Sequence, residues 1–216
     1  MRARASQVIS PGCFHHWPVT IYDQKPRSSH ALSVVSRQAN RLCELIQALP
    51  ADRIEAIGDV LIETWRGGRQ VFVVGNGGSA ATASHIACDL GRIEVAGSTF
   101  RVSSLADNTA LLSALANDIG YEHVFVEQLR PQLAGGDALI SISASGRSPN
   151  VLAAMRLARE RQATTLALLG FDGGDAIHLA DEHVLVCSDH FGLVEDVHLA
   201  VNHLLVAYLR ERLSEA

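Results

Sequence analysis

Apolar positions change their spacing along this chain, and each change marks an element. From Ser29, residues Leu32, Val35, Ala39, Leu42, Leu45 and Ile46 recur at three- and four-residue steps, which predicts a helix ending near Pro50. A second helix is expected from Asp52 as N-cap through Ile54, Ile57, Leu61 and Ile62, with Gly67-Gly68 as its stop. Val71-Phe72-Val73-Val74 is then an unbroken, mostly β-branched apolar run, the pattern of a buried parallel strand. It breaks into Gly75-Asn76-Gly77-Gly78-Ser79 and turns helical from about Gly78 to Leu90. Further strands are predicted over Thr99–Ser104, Ala138–Ser143, Thr164–Leu169 and His183–Cys187. Helices are predicted over Asn108–Ala116, Glu122–Leu133, Val151–Arg161 and a long closing span, Leu193–Leu213. Alternating strands and helices imply an α/β fold, a parallel sheet covered by helices on both faces.

Such sheets bind ligands at the carboxyl ends of their strands. Two strand ends here open helices through small residues. At the first, Gly77 and Gly78 let a ligand approach the free N–H groups of a helix's first turn, where anions bind. The second, Ser143-Ala144-Ser145-Gly146-Arg147-Ser148-Pro149-Asn150, offers three hydroxyls around one glycine. Hydroxyls and backbone N–H groups without a lysine suit a phosphate monoester better than a nucleoside triphosphate. One serine, Ser148, is expected to serve as an ordinary helix N-cap.

Composition narrows the class. The chain has 216 residues, 48% hydrophobic and 5% aromatic, which fits an aliphatic α/β domain. A net charge of −5 supplies no basic field for nucleic acid, and no apolar run approaches the roughly 18 residues of a membrane span. A cytoplasmic protein is the expectation. Cys13, Cys43, Cys88 and Cys187 form no C-x-x-C pair, which fits reduced thiols rather than a zinc knuckle. Lys25 is the only lysine, so Schiff-base chemistry and a P-loop lysine are excluded from the core. Residues 1–28 mix Pro, His, Ser and Arg without periodicity and are expected to form a flexible arm.

The helices carry candidate chemistry. His85 and Asp89, four residues apart, share a helix face and can point into one site, although the same spacing also makes a common surface ion pair. On the closing helix, wheel geometry pairs His203 with Asp196, about 20° apart, ahead of Glu195 at about 80°. His198 falls on another face and is expected to pack, while His178, His183 and His190 are expected at the surface.

Gly75-Asn76-Gly77-Gly78-Ser79, His85-x-x-x-Asp89, Asn117-Asp118, Ser143-Ala144-Ser145-Gly146-x-Ser148 and Glu195-x7-His203, in this order and spacing, resemble the sugar isomerase (SIS) fold. Within it they are most similar to the sedoheptulose-7-phosphate isomerase (phosphoheptose isomerase) family. The resemblance runs from about Ser29 to the C-terminus, so residues 29–216 are expected to form one SIS domain that includes the leading helical pair. It implies a flavodoxin-like, three-layer αβα sandwich with a five-stranded parallel sheet. It also implies a homotetramer or dimer with sites between subunits, and aldose–ketose isomerisation of a seven-carbon sugar phosphate through an enediol. Substrate binding would fall to Asn76, Gly77, Gly78, Ser79, Asn117, Asp118, Ser143, Ala144, Ser145 and Ser148. His85, Asp89, Glu195 and His203 would hold one Zn²⁺, and the base and acid would come from Asp89, Glu195 and His203.

Two positions depart from the family pattern: Asp89 is a methylene shorter than the expected glutamate, and Glu195 replaces an expected amide. Two alternatives belong to other classes. A non-catalytic SIS module that senses sugar phosphates or binds a protein partner would keep the phosphate loops but need neither acid nor base. A dinucleotide oxidoreductase would use Gly75-x-Gly77-x-x-Ala80, but the second strand ends Ser104-Leu105-Ala106 without an acidic residue for a ribose.

Overall fold

The computed structural model describes residues 29–214, so the arm expected over 1–28 lies outside the described residues. Helices α1 (Ser29–Gln47) and α2 (Ala51–Arg66) lead into β1 (Gln70–Gly75) and α3 (Gly78–Gly91). A two-stranded hairpin, β2 (Glu94–Val95) and β3 (Ser98–Thr99), precedes β4 (Arg101–Ser104) and α4 (Thr109–Ile119). There follow α5 (Val124–Leu129), β5 (Ala138–Ser143), α6 (Pro149–Glu160), β6 (Thr164–Gly170), β7 (Glu182–Val186) and α7 (Phe191–Ser214). The described residues fall into two compact units, 29–40 and 41–214. In the described part of the first, Ser33 Oγ donates to the His30 carbonyl at 2.8 Å, and Leu32 and Val35 are exposed.

In the second unit, five parallel strands lie in the order β4-β1-β5-β6-β7. Side chains alternate across a strand, so β1 divides its apolar run between two cores. Val71 and Val73 pack with Ile57 and Leu61 of α2, Ile86 and Leu90 of α3, and Val197, Val201 and Leu205 of α7. Phe72 and Val74 pack with Phe125 and Leu129 of α5 and with Val151, Met155 and Ala158 of α6. The two cores are the inner faces of a three-layer αβα sandwich, as the resemblance implied. No helix among the described residues is long and apolar enough to cross a membrane.

Boundaries shift where local chemistry wins. Pro50, not Asp52, is the N-cap of α2, with Asp52 in the first turn, where its charge favours the helix dipole. The predicted Thr99–Ser104 strand is broken, since Ser98–Thr99 turns back on Glu94–Val95 and only Arg101–Ser104 joins the sheet. The predicted Glu122–Leu133 helix is a 3₁₀ turn, Tyr121–His123, followed by the short α5. His198, on α7, is fully buried, and its Nε2 hydrogen-bonds the Leu169 carbonyl at 3.0 Å. That contact ties α7 to the end of β6, and burial lowers the imidazole pKa to about 4.

Candidate active site

The turn between β1 and α3 faces α7. At Gly78, in the first turn of α3, an added methyl would overlap the Glu195 carboxylate, so only a glycine lets Glu195 approach so closely. Asn76, one residue past β1, is fixed by three hydrogen bonds. Its Oδ1 accepts from Tyr121 Oη at 2.8 Å and from Asn150 Nδ2 at 2.9 Å, and its Nδ2 donates to Asn150 Oδ1 at 2.9 Å. Asn76, Ser79, Ser143, Ala144, Ser145, Ser148, Phe191 and Glu195, with Ile142, line a cleft of about 140 Å³.

The serine loop follows β5. Ser143 Oγ accepts from the Gly146 N–H at 3.1 Å and Ser145 Oγ from the Arg147 N–H at 3.3 Å, which leaves the Ser145 proton for a ligand and the Ser143 proton for a ligand or for Ser148 Oγ. Ser148 occupies the N-cap position of α6, yet its side chain makes no cap bond; its Oγ lies 3.5 Å from Ser143 Oγ. The expectation of an ordinary cap at Ser148 is thus replaced by a hydroxyl lining the cleft. The loop is buttressed by the turn after β6. Gly146 has φ 64° and stands so close to the Gly173 carbonyl that a Cβ could not fit, and its carbonyl accepts from the Ala176 N–H at 3.0 Å. Arg147 clamps Asp172 with two bonds, Nη1 to Oδ1 at 2.8 Å and Nη2 to Oδ2 at 2.6 Å. The guanidinium pulls the Asp172 carboxyl pKa down to about 2. Arg147 is therefore committed to Asp172 and to the Ser145 carbonyl, 3.0 Å away, and the cleft is lined by neutral donors and Glu195.

A second cluster joins α3 and α7. Asp89 Oδ2 lies 3.2 Å from His85 Nε2 and 3.9 Å from His203 Nε2, and the two imidazole nitrogens are 3.5 Å apart. The three ligand atoms fall within 4.8 Å of one another, and two imidazoles with one carboxylate suit a divalent ion of zinc's class. Asn202, 1% exposed, donates from Nδ2 to Asp89 Oδ2 at 2.7 Å. Glu195, the fourth residue of the expected metal set, is not in this cluster. It lies eight residues before His203 on α7, about 12 Å by helix rise. Asp196, the wheel partner of His203, is exposed and outside the cluster as well.

Other expected residues scatter. Asn117 and Asp118 are exposed at the end of α4, bonded to each other at 2.9 Å, and do not line the cleft. Gly77 is exposed beside it. His178 and His190 are exposed, whereas His183 is half-buried and its pKa is lowered, first by burial and then by Arg53. Four contributors carry no motif signal: Asn150, Tyr121, Asn202 and Phe191. Only Asn202 left a trace, as a lone amide within the apolar stripe Val194, Val197, Val201, Leu205.

Residues 36–170 match the SIS domain family. The phosphoheptose isomerase of Bradyrhizobium sp. (strain ORS 278) is 42% identical over 150 residues, covering 69% of this chain and 76% of that protein. That of Geobacter sp. (strain M21) is 34% identical over 178 residues, covering 81% of this chain and 93% of its own. Among solved structures, phosphoheptose isomerase GmhA from Neisseria gonorrhoeae superposes with a TM-score of 0.78 at 26% identity, covering 84% of this chain and 98% of that one. Motif order, sheet topology and these matches agree: the chain belongs to the SIS domain family, among the phosphoheptose isomerases.

Proposed function

We propose that this chain isomerises sedoheptulose 7-phosphate to D-glycero-D-manno-heptose 7-phosphate through a cis-enediol. The observation that carries the reading is the pairing of a carboxylate with an imidazole, Asp89 Oδ2 and His203 Nε2 at 3.9 Å, on the same molecule as a serine-lined phosphate cleft. The serine loop and the N-terminus of α6 take the phosphate through Ser143, Ala144, Ser145 and Ser148. Asn76, Gly77, Gly78 and Ser79 contact the sugar. Asp89 removes a proton from C1 and returns it to C2, while His203 gives a proton to O2 and takes one from O1, so no proton is gained or lost overall. Glu195, in the cleft, orients the substrate.

His85, Asp89 and His203 would hold a Zn²⁺, with Glu195 outside the set; the proton transfers would then fall to the second carboxylate oxygen of Asp89 and to His203 Nδ1. Bound there, the ion would polarise the substrate carbonyl. Half-exposed His85 and His203, and the exposed Leu204 beside them, support a site covered in a homotetramer or dimer. Asn117 and Asp118 would join the site in that assembly. The SIS domain is read as residues 29–216, and the protein as cytoplasmic.

Incubation with sedoheptulose 7-phosphate, with formation of the aldose followed by chromatography, tests the reading. Appearance of the aldose supports it. Tight binding without turnover would replace it with the non-catalytic sugar-phosphate-sensing module.

A further inference from the structure

We infer that Asn150 and Tyr121 are positioning residues that fix the Asn76 side chain as a hydrogen-bond donor toward the cleft. The orientation is set from a backbone group outward. Asn150 follows Pro149, the first residue of α6, so the Val151 N–H falls in the first turn, where amides have no partner within the helix. That N–H donates to Asn150 Oδ1 at 2.9 Å. A backbone N–H can only donate, so Oδ1 is the acceptor end of Asn150 and Nδ2 its donor end.

Asn150 is 2% exposed and imposes this order on Asn76 through the reciprocal pair of 2.9 Å bonds. Tyr121 Oη adds a second donor to Asn76 Oδ1 at 2.8 Å. Both lone pairs of that oxygen are then in use, and one of the two Nδ2 protons is on Asn150. The hydrogen-bonding capacity left on Asn76, which lines the cleft, is one N–H. A flipped amide would present an oxygen, which cannot donate to the carbonyl oxygen of an open-chain sugar or to an enediolate. The α6 N-terminus that helps form the phosphate loop thus also dictates the polarity of the sugar contact on the β1 turn. Naming a sugar oxygen as the acceptor rests on the proposed isomerase reading; the amide orientation does not.

Two measurements test it. In ¹⁵N-asparagine-labelled protein without substrate, the two Asn76 side-chain protons should exchange with solvent at different rates, about tenfold or more apart. Asn150→Leu should make them alike. Equal rates in the unsubstituted protein would overturn the inference, whatever the enzyme's activity.

In the isomerase assay, Asn76→Ala and Asn150→Leu should each lower kcat/KM roughly ten- to a hundredfold, as expected for a lost or misaimed donor. The double variant should be no worse than the weaker single variant, within about twofold. Losses that multiply would show that Asn150 acts independently of Asn76 and would sink the proposal. Tyr121→Phe removes only a hydroxyl at a 48% exposed residue and serves if Asn150→Leu fails to fold; a loss of a fewfold that vanishes in the Asn76→Ala background is expected. Absence of turnover in the unsubstituted chain would refute the isomerase reading alone and leave the exchange experiment to decide.

Discussion

Asn202 Nδ2 donates to Asp89 Oδ2 at 2.7 Å, so a buried amide on α7 holds the carboxylate that α3 brings toward His85 and His203. A short carboxylate on a helix face is free to turn toward solvent. The bond from Asn202 keeps Asp89 aimed between the two imidazoles. It also satisfies a polar group in an otherwise apolar stripe, where an amide without a partner would be costly. The aspartate that stands where the resemblance implies a glutamate is thus accompanied by a side chain that fixes its direction.

If that bond orients a metal ligand, Asn202→Leu should weaken zinc binding about 10–100-fold, the usual loss when a ligand's supporting partner is removed. Competition with a chromophoric chelator measures it, and unchanged affinity would mean that Asn202 only packs.

The serine loop predicts a binding defect separable from folding. Ser143→Ala with Ser145→Ala removes two hydroxyl donors to a phosphate, each worth about 1.5–3 kcal/mol as a charge-assisted bond. The loop frame should persist, because Gly146 and Arg147 are held by the turn after β6. Calorimetric titration should show weaker sugar-phosphate binding, while the two lost loop bonds from the Gly146 and Arg147 N–H groups lower the melting temperature by only a few degrees. Equal affinity would remove these serines from the site.

How much of this was legible depended on whether the cause was local. The apolar run Val71–Val74, the glycine break after it and the alternation of elements reported a doubly covered parallel sheet, because burial on both faces leaves an unbroken apolar signature. His85 and Asp89 could be read because helix periodicity puts residues four apart on one face. Asn150 could not, since its partner is 74 positions away and its role arises only where α6 meets the β1 turn. Glu195 joins the metal set only through the family resemblance; the helix wheel favours Asp196 for His203, and the structure sets Glu195 in the serine-lined cleft, because position on a helix does not reveal which strand end the helix faces. The hairpin Glu94–Thr99 was missed because two-residue strands carry no period.

His198 should make the fold acid-sensitive. Its pKa is lowered to about 4 in the folded chain from an ordinary 6.5, so the unfolded state binds a proton that the folded state refuses. The group's contribution is whole above pH 6.5, falls as pH drops, and is lost by about pH 4, a difference of about 3 kcal/mol. Stability from urea unfolding should decline across that window. His198→Gln, which keeps a donor for the Leu169 carbonyl, should flatten the decline by up to one proton's worth of slope. An unchanged slope would mean that the buried imidazole is protonated with the rest.

The separation of Glu195 from Asp89 gives the sharpest expectation for catalysis. Asp89 faces an imidazole at 3.9 Å, whereas the Glu195 carboxylate rests against Gly78 in the serine-lined cleft. A group that carries the C1 proton has no substitute, so Asp89→Asn should cost on the order of 10²–10⁴ in kcat. His203→Ala should be similarly severe, since the oxygen proton then has no carrier. Glu195→Gln is different. It keeps the shape and hydrogen-bonding reach of the side chain and removes a negative charge from the cleft proposed to take the phosphate. The rate should therefore fall less than tenfold and KM should hold or decrease. Steady-state kinetics on sedoheptulose 7-phosphate with zinc supplied decide the matter. A Glu195→Gln variant as damaged in kcat as Asp89→Asn would transfer the base to Glu195, and would require α7 to turn that carboxylate from Gly78 toward His203.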